Sequence, residues 1–310
     1  MDGIHTGLDG GLYARCVTGS RGALWDIEAD VIRGRGFAAD QKYLPDGLSL
    51  IGEFTSLSDD EKRFVSQIQG RTYANVFGLV ERFINAKMLE ISHEHWFGDQ
   101  SKLEALVRFS SEELKHQALF RRVEVMMGEA LPAGYRFVVR PDEVAHAVLG
   151  KCTWAVLALT HDIELFTHLH YRQSIDPDRQ LSGLFKDVFR HHWKDEARHV
   201  ILGELEWRHH DATLSAEARD AAVDDFIALV GAVDGILRAQ AAADADYFAT
   251  SCGRPVGEGE RRAVEGQFLK AYRWQYIHSG AAHPRFRKVL SELVTEAQGG
   301  RIAAALETLH

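Results

Sequence analysis

From Ser58 to about Trp96 the apolar residues Phe64, Ile68, Val76, Phe77, Val80, Phe83, Ile84 and Leu89 recur at helical spacing, behind the capping-box sequence Ser58-Asp-Asp-Glu61. The same reading predicts a second helix from an Asp99 cap to near Gly128 and a third from Pro141 to the Asp176-Pro177-Asp178 break. A fourth is predicted from about Ser182 to His210. Ser215 opens an alanine-rich helix ending near Gly253, and two more are predicted at 258–279 and 284–308. Residues 1–57 are glycine-rich, with scattered aromatics (Tyr13, Trp25, Phe37, Tyr43), and read as an irregular arm or cap. No low-complexity segment or open linker divides the chain. The expectation is a single all-α domain over 1–310: an N-terminal arm (1–57), a four-helix bundle (58–210) and C-terminal helices (211–310).

Connection lengths add topology. Short breaks join the first helix to the second and the third to the fourth, so each pair is expected to form an antiparallel hairpin. About a dozen residues join the second to the third; extended, they reach roughly 40 Å, the length of a ~28-residue helix. The expected topology is therefore a bundle with one long crossover.

Composition narrows the class. The chain is 45% hydrophobic and 26% charged, and six prolines in 310 residues favour long helices. A formal charge of -9, without a long basic block, argues against nucleic acid as a partner. No apolar run was expected to be long enough for a membrane span, and the N-terminus lacks a signal-peptide layout. Cys16, Cys152 and Cys252 are widely spaced and read as reduced, buried thiols of a cytoplasmic protein.

Candidate chemistry lies in paired carboxylates and imidazoles. Glu-x-x-His occurs six times, beginning at Glu90, Glu113, Glu143, Glu196, Glu206 and Glu307, so the motif alone decides little. Only Glu113–His116 and Glu196–His199 fall mid-helix, where both side chains of a pair share one face. Glu81 and Glu164 each sit in an apolar setting, where an unpaired charge is costly to bury. Each precedes a Glu-x-x-His glutamate by 32 residues. The two hairpins are thus related by a shift of 83, which also maps Glu112 onto Asp195. Four carboxylates and two imidazoles would make a complete, oxygen-rich ligand set for two cations. His192 breaks the symmetry: it shares a face with Glu196 and His199, and its counterpart is Phe109. His168 follows Glu164 by one turn and is expected in the same layer.

With these residues the chain resembles the ferritin-like di-iron carboxylate superfamily over roughly residues 58–210. Asp195-Glu196-Ala197-Arg198-His199 is similar to the DExRH form of its oxygenase and desaturase branches. The His192-x-x-x-Glu196-x-x-His199 array resembles the p-aminobenzoate N-oxygenase type, which implies that His192 ligates one iron. The resemblance implies two iron ions, or manganese or a mixed Mn/Fe pair, held by Glu81, Glu113, His116, Glu164, His192, Glu196 and His199. It casts Glu112 and Asp195 as supports for these ligands and implies no catalytic residue beyond the metal centre, while the position of His168 makes it a pocket or hydrogen-bonding histidine beside them. The expected activity is an O2-activating di-iron oxygenase or oxidase acting on a small organic substrate, such as an amine N-oxygenase. It would work with an electron donor, as a homodimer, without nucleic acid or membrane. The alternatives are a hydroxylase or desaturase of the same superfamily, or a ferroxidase.

Overall fold

A computed structural model describes residues 5–309, with side chains from residue 11 onward. Among the described residues no strand forms, and one isolated parallel bridge joins Lys42 to Leu181. The helices are α1 (His5–Gly22), α2 (Asp46–Ser49), α3 (Asp59–Ser92), α4 (Gln100–Ala130), α5 (Pro141–Leu149), α6 (Thr153–His170) and α7 (Gly183–Asp211). They continue as α8 (Ala216–Ser251), α9 (Glu258–Arg273), α10 (Ser279–Ala281), α11 (Pro284–Leu293) and α12 (Glu296–Glu307).

The start of α3 follows from its cap: Ser58 Oγ accepts from Glu61 N, and the Glu61 carboxylate accepts from Ser58 N at 2.8 Å. Asp99 caps α4 through the amides of Ser101 and Lys102. α3 and α4 run antiparallel, because Arg71 pairs with Glu124 at one end while Gln117 reaches the Glu81 carbonyl further along. α6 and α7 are antiparallel too, with Trp154 donating to Asp211 at 2.8 Å and His168 against Trp193. α6 also lies against α3, from Tyr73–His170 at one end to Lys87–Thr153 at the other.

The crossover is longer than the extended stretch alone. Tyr135 meets Thr72 at 2.9 Å near the top of α3, and Thr153 meets Lys87 near the bottom. Residues 131–152, including α5, therefore descend alongside α3 before α6 begins. This corrects the single third helix read from the sequence: the chain breaks at 150–152, where the Lys151 side chain and the Cys152 amide both turn to Asp225 of α8. The N-terminal arm also differs from expectation, since α1 is helical and packs on α4 and α7. Its buried Tyr13, Cys16, Val17 and Ser20 follow helical spacing. The predicted 284–308 helix divides into α11 and α12, because Val294 is extended and Thr295 starts a new capping box.

Two further expectations need correction. α8 is long and apolar enough, by length and composition, to cross a membrane. In this fold it packs against α6 and α9 and carries the buried acids Asp234 and Asp244, both bonded to neighbours. All three cysteines are free thiols, but only Cys16 is buried.

Candidate metal centre

α3, α4, α6 and α7 each turn an acidic residue inward. Glu81, Glu113, His116, Glu164, His192, Glu196 and His199 are all buried, none more than 3% exposed. Their donor atoms form two overlapping groups, each spanning no more than 4.8 Å: Glu81, His116, His192 and Glu196; and Glu113, His116, Glu196 and His199. Either group could hold a metal ion. Glu196 serves both. Its Oε1 is 2.9 Å from His192 Nε2 and 3.2 Å from His116 Nδ1, while Oε2 is 3.2 Å from His199 Nδ1. Glu81 Oε1 lies 2.8 Å from His192 Nε2, and Glu113 Oε1 lies 2.8 Å from His199 Nδ1.

Glu164 falls outside both groups but interacts with Glu196. Burial and the Glu196 charge push its carboxyl well above the usual range. Burial also opposes ionisation of Glu196, but the His192 and His199 charges outweigh it and hold that carboxyl low. For His116 and His199, burial alone would disfavour the charged imidazole. Asp195 and Glu196 at the one, and Glu196 and Glu112 at the other, reverse that and raise both well above the ordinary value.

The donor set fits a metal on an independent observation. Both Glu113 oxygens, His116 Nδ1 and Glu196 Oε1 are buried without a hydrogen-bond partner. They approach neighbouring donors closely but are not aligned as hydrogen bonds. Buried polar atoms rarely go unpaired, and cations held by the two donor groups would satisfy them.

Two of the three imidazoles are anchored from the opposite hairpin. His116 of α4 meets Asp195 of α7 through Nε2 at 3.2 Å, and His199 of α7 meets Glu112 of α4 through Nε2 at 2.9 Å. Such a bond fixes the ring and turns Nδ1 inward. The shift of 83 thus relates two working supports. Phe109, the counterpart of His192, stacks face to face on His199 with centroids 3.7 Å apart. One side of the centre receives an extra imidazole and the other a phenyl ring. His168, expected in the same layer as Glu164 but not as a ligand, packs against Trp193, 5.2 Å between centroids, and belongs to neither donor group. One turn carries a residue roughly 40° round the helix, enough to move it from the core to the α6–α7 seam.

Several contributors were not legible in the sequence. Trp25 donates to Asp195 at 2.9 Å and stacks over His116, and Ser20 donates to Glu112 at 2.8 Å. Arg198 bridges both outer acids, at 2.8 Å from Glu112 and 2.6 Å from Asp195. The Arg of the Asp-Glu-x-Arg-His string could have suggested the last; nothing in the arm pointed to Trp25. Beside the centre, Phe77, whose ring meets His192 edge-on, also borders an apolar cavity of about 80 Å³ with Phe83, Val148, Ile163 and Phe166. A polar cleft lined by Trp25, Asp26, Arg108, Glu112 and Lys115 opens on the opposite, α1–α4 side.

No protein-family model matches the chain, and no curated protein matches it. The helical fold and the buried His/Glu cluster define the class as far as a helical protein with a site able to bind metal.

Proposed function

We propose that α3, α4, α6 and α7 form the four-helix bundle of a ferritin-like protein, and that the chain is an O2-activating di-iron oxygenase. The observation that carries this reading is the shared placement of Glu196 between two donor groups in which both Glu113 oxygens, His116 Nδ1 and Glu196 Oε1 have no hydrogen-bond partner. Glu81, His116, His192 and Glu196 would hold one ion, and Glu113, Glu196 and His199 the other, with Glu164 against Glu196 completing the set. Two iron ions bound there would supply redox equivalents and Lewis acidity for O2 chemistry. The protein's part is to orient and to exclude water. Asp195 and Glu112 fix the imidazole tautomers, and Phe77, Phe109 and Phe120 line the histidines with apolar surface.

The one-sided His192 and the apolar cavity beside it favour a small organic substrate over iron as cargo. Within that class the array favours N-oxygenation of an amine, with hydroxylation and desaturation as the neighbouring reactions; each takes electrons from a separate donor. The cleft on Glu112, with Asp26 and Asp30 on its wall, is the feature that favours iron handling instead. Aerobic addition of excess ferrous iron separates the two. The oxygenase reading expects about two irons per chain, O2 uptake and no mineral core. Tens of irons retained per chain would move the protein to the iron-storing class, and none under any loading condition would remove the metal centre.

A further inference from the structure

Away from the metal cluster, two buried polar groups have nothing to bond. Asp162 of α6 and Tyr276, in the helical turn Trp274–His278, are each 6% exposed. Asp162 Oδ1 and the Tyr276 hydroxyl are buried without a hydrogen-bond partner. Both residues line one cavity of about 60 Å³, walled by Phe226 and Val230 of α8, Phe286 and Leu290 of α11, and Ile302 and Leu306 of α12. No other residue of its wall has a polar side chain. Two residues along a helix are about 200° apart, so Asp162 faces away from Glu164 and the metal cluster.

Both groups are held where they stand. A Cβ on Gly280 of α10 would lie 2.5 Å from each Asp162 oxygen, so the carboxyl rests against bare backbone. The Tyr276 ring sits among Tyr73, Phe166 and Tyr272, with centroids 5.9, 6.2 and 6.2 Å away. Leaving two such groups unpaired in apolar walls is costly, and an apolar cavity with a few convergent polar groups has the form of a small-molecule site.

The two groups select the ligand's chemistry. A carboxyl group accepts a hydrogen bond in either protonation state, and a phenol donates one. A hydroxyl on the ligand answers both, donating to Asp162 and accepting from Tyr276, with no donor left over. An ammonium brings three donors and no acceptor, and a carboxylate brings no donor for Asp162. At roughly 10–15 Å³ for each water-sized occupant, the cavity takes about five non-hydrogen atoms. Leu159, Val233 and Tyr276 also wall the cavity beside Phe77, so a longer hydrocarbon has room to continue there.

We propose that the cavity between α6, α8, α11 and α12 is a small-molecule site separate from the metal centre. Its ligand is an uncharged alcohol with a hydrocarbon body, the hydroxyl held between Asp162 and Tyr276. The site is complete without metal, so it does not rest on the di-iron reading.

The test is an NMR titration of the metal-free chain, carrying labelled Leu159 and Leu306 methyl groups. The probes are 1-butanol and 1-chlorobutane, which has a similar length and no hydroxyl. 1-Butanol is expected to shift both residues' methyl signals saturably. The ratio of 1-butanol affinity to 1-chlorobutane affinity is expected to fall about tenfold in Asp162→Leu and severalfold in Tyr276→Phe. Tyr276→Phe keeps the ring and carries the comparison alone if Asp162→Leu does not fold. A titration that shifts neither residue's methyl groups, or never saturates, overturns the site. An affinity ratio equal in wild type and Tyr276→Phe overturns the role of the hydroxyl. A long-lived water that stays in contact with Tyr276 at saturating 1-butanol would mean that the two groups hold water alone, and would overturn it as well.

Discussion

At Asp195 four donors meet one buried carboxylate: Trp25 Nε1, His116 Nε2, Lys115 Nζ and Arg198, the last at 2.6 Å. Burial opposes its charge, but His116, Lys115 and Arg198 outweigh that and hold it well below the usual carboxylate range. Asp195→Asn would keep the shape but allow an amide N–H to face His116, freeing the ring to turn. Metal affinity is expected to fall by roughly 10–100-fold with helical content unchanged, as measured by competition with a chelator. The shared role of Glu196 gives a sharper contrast. Glu196→Ala is expected to take binding from about two ions per chain towards none, whereas His192→Ala should retain at least one. Equal stoichiometry in the two variants would contradict the bridging placement. This buried cluster could be read from the sequence because helical spacing converts position into direction, and two intervals of 32 residues set four carboxylates in register. Trp25 and Ser20 could not, because the arm that carries them has no counterpart under the shift of 83.

Among the elements, the long hairpins were legible and the interruptions were not. α1 hid behind its glycines, which lower helix propensity although Tyr13, Cys16, Val17 and Ser20 keep the period. The break before α6 arises from a contact to Asp225, some 70 residues away, which no local rule sees. Glycine is required where α3 passes the backbone of the segment before α2. A Cβ at Gly70 would lie 2.6 Å from Tyr43 Cβ and 2.9 Å from its backbone carbon, so no rotamer change relieves it. Gly70→Ala is expected to cost about 1–3 kcal/mol in urea denaturation. At Gly78 the nearest atom is Phe120 Cβ at 3.2 Å, and the gain in helix propensity offsets a slight shift. Gly78→Ala should be close to neutral, and equal losses at both positions would discount the close approach of Tyr43.

Across the whole molecule, Asp244 ties the parts together. It accepts from Thr72 of α3 at 2.7 Å, from Tyr272 of α9 and from Gln240, which also holds the crossover through Val138 N and the Arg136 carbonyl. Burial pushes its carboxyl up to about 7 from an ordinary value of 3.8. A folded-state value above the unfolded one means that the proton is held more tightly in the native fold. The stabilisation is therefore complete below about pH 4 and is lost as pH rises through about 7, on the order of 4 kcal/mol. Asp244→Asn should remove this slope. The stability difference between wild type and variant, followed by urea unfolding of the metal-free chain between pH 5 and pH 8, is expected to shift in favour of the variant. A difference that stays constant across that range would place the titration elsewhere.

The crossed anchoring of the two imidazoles has a kinetic consequence. Each hairpin can assemble from neighbours in the chain, and such local contacts form early. Yet Nε2 of His116 meets Asp195 and Nε2 of His199 meets Glu112, each on the opposite hairpin, so neither half alone presents a finished cradle. The cradle exists only after the 131–152 segment has been threaded and the halves have docked, late in folding. A ligand that meets its protein so late leaves the folding limb of a chevron where it was and depresses the unfolding limb. Manganese, added to stopped-flow experiments under anaerobic conditions, is expected to slow unfolding while refolding keeps its metal-free rate. Acceleration of refolding would mean that one hairpin captures the ion before it has met its mate.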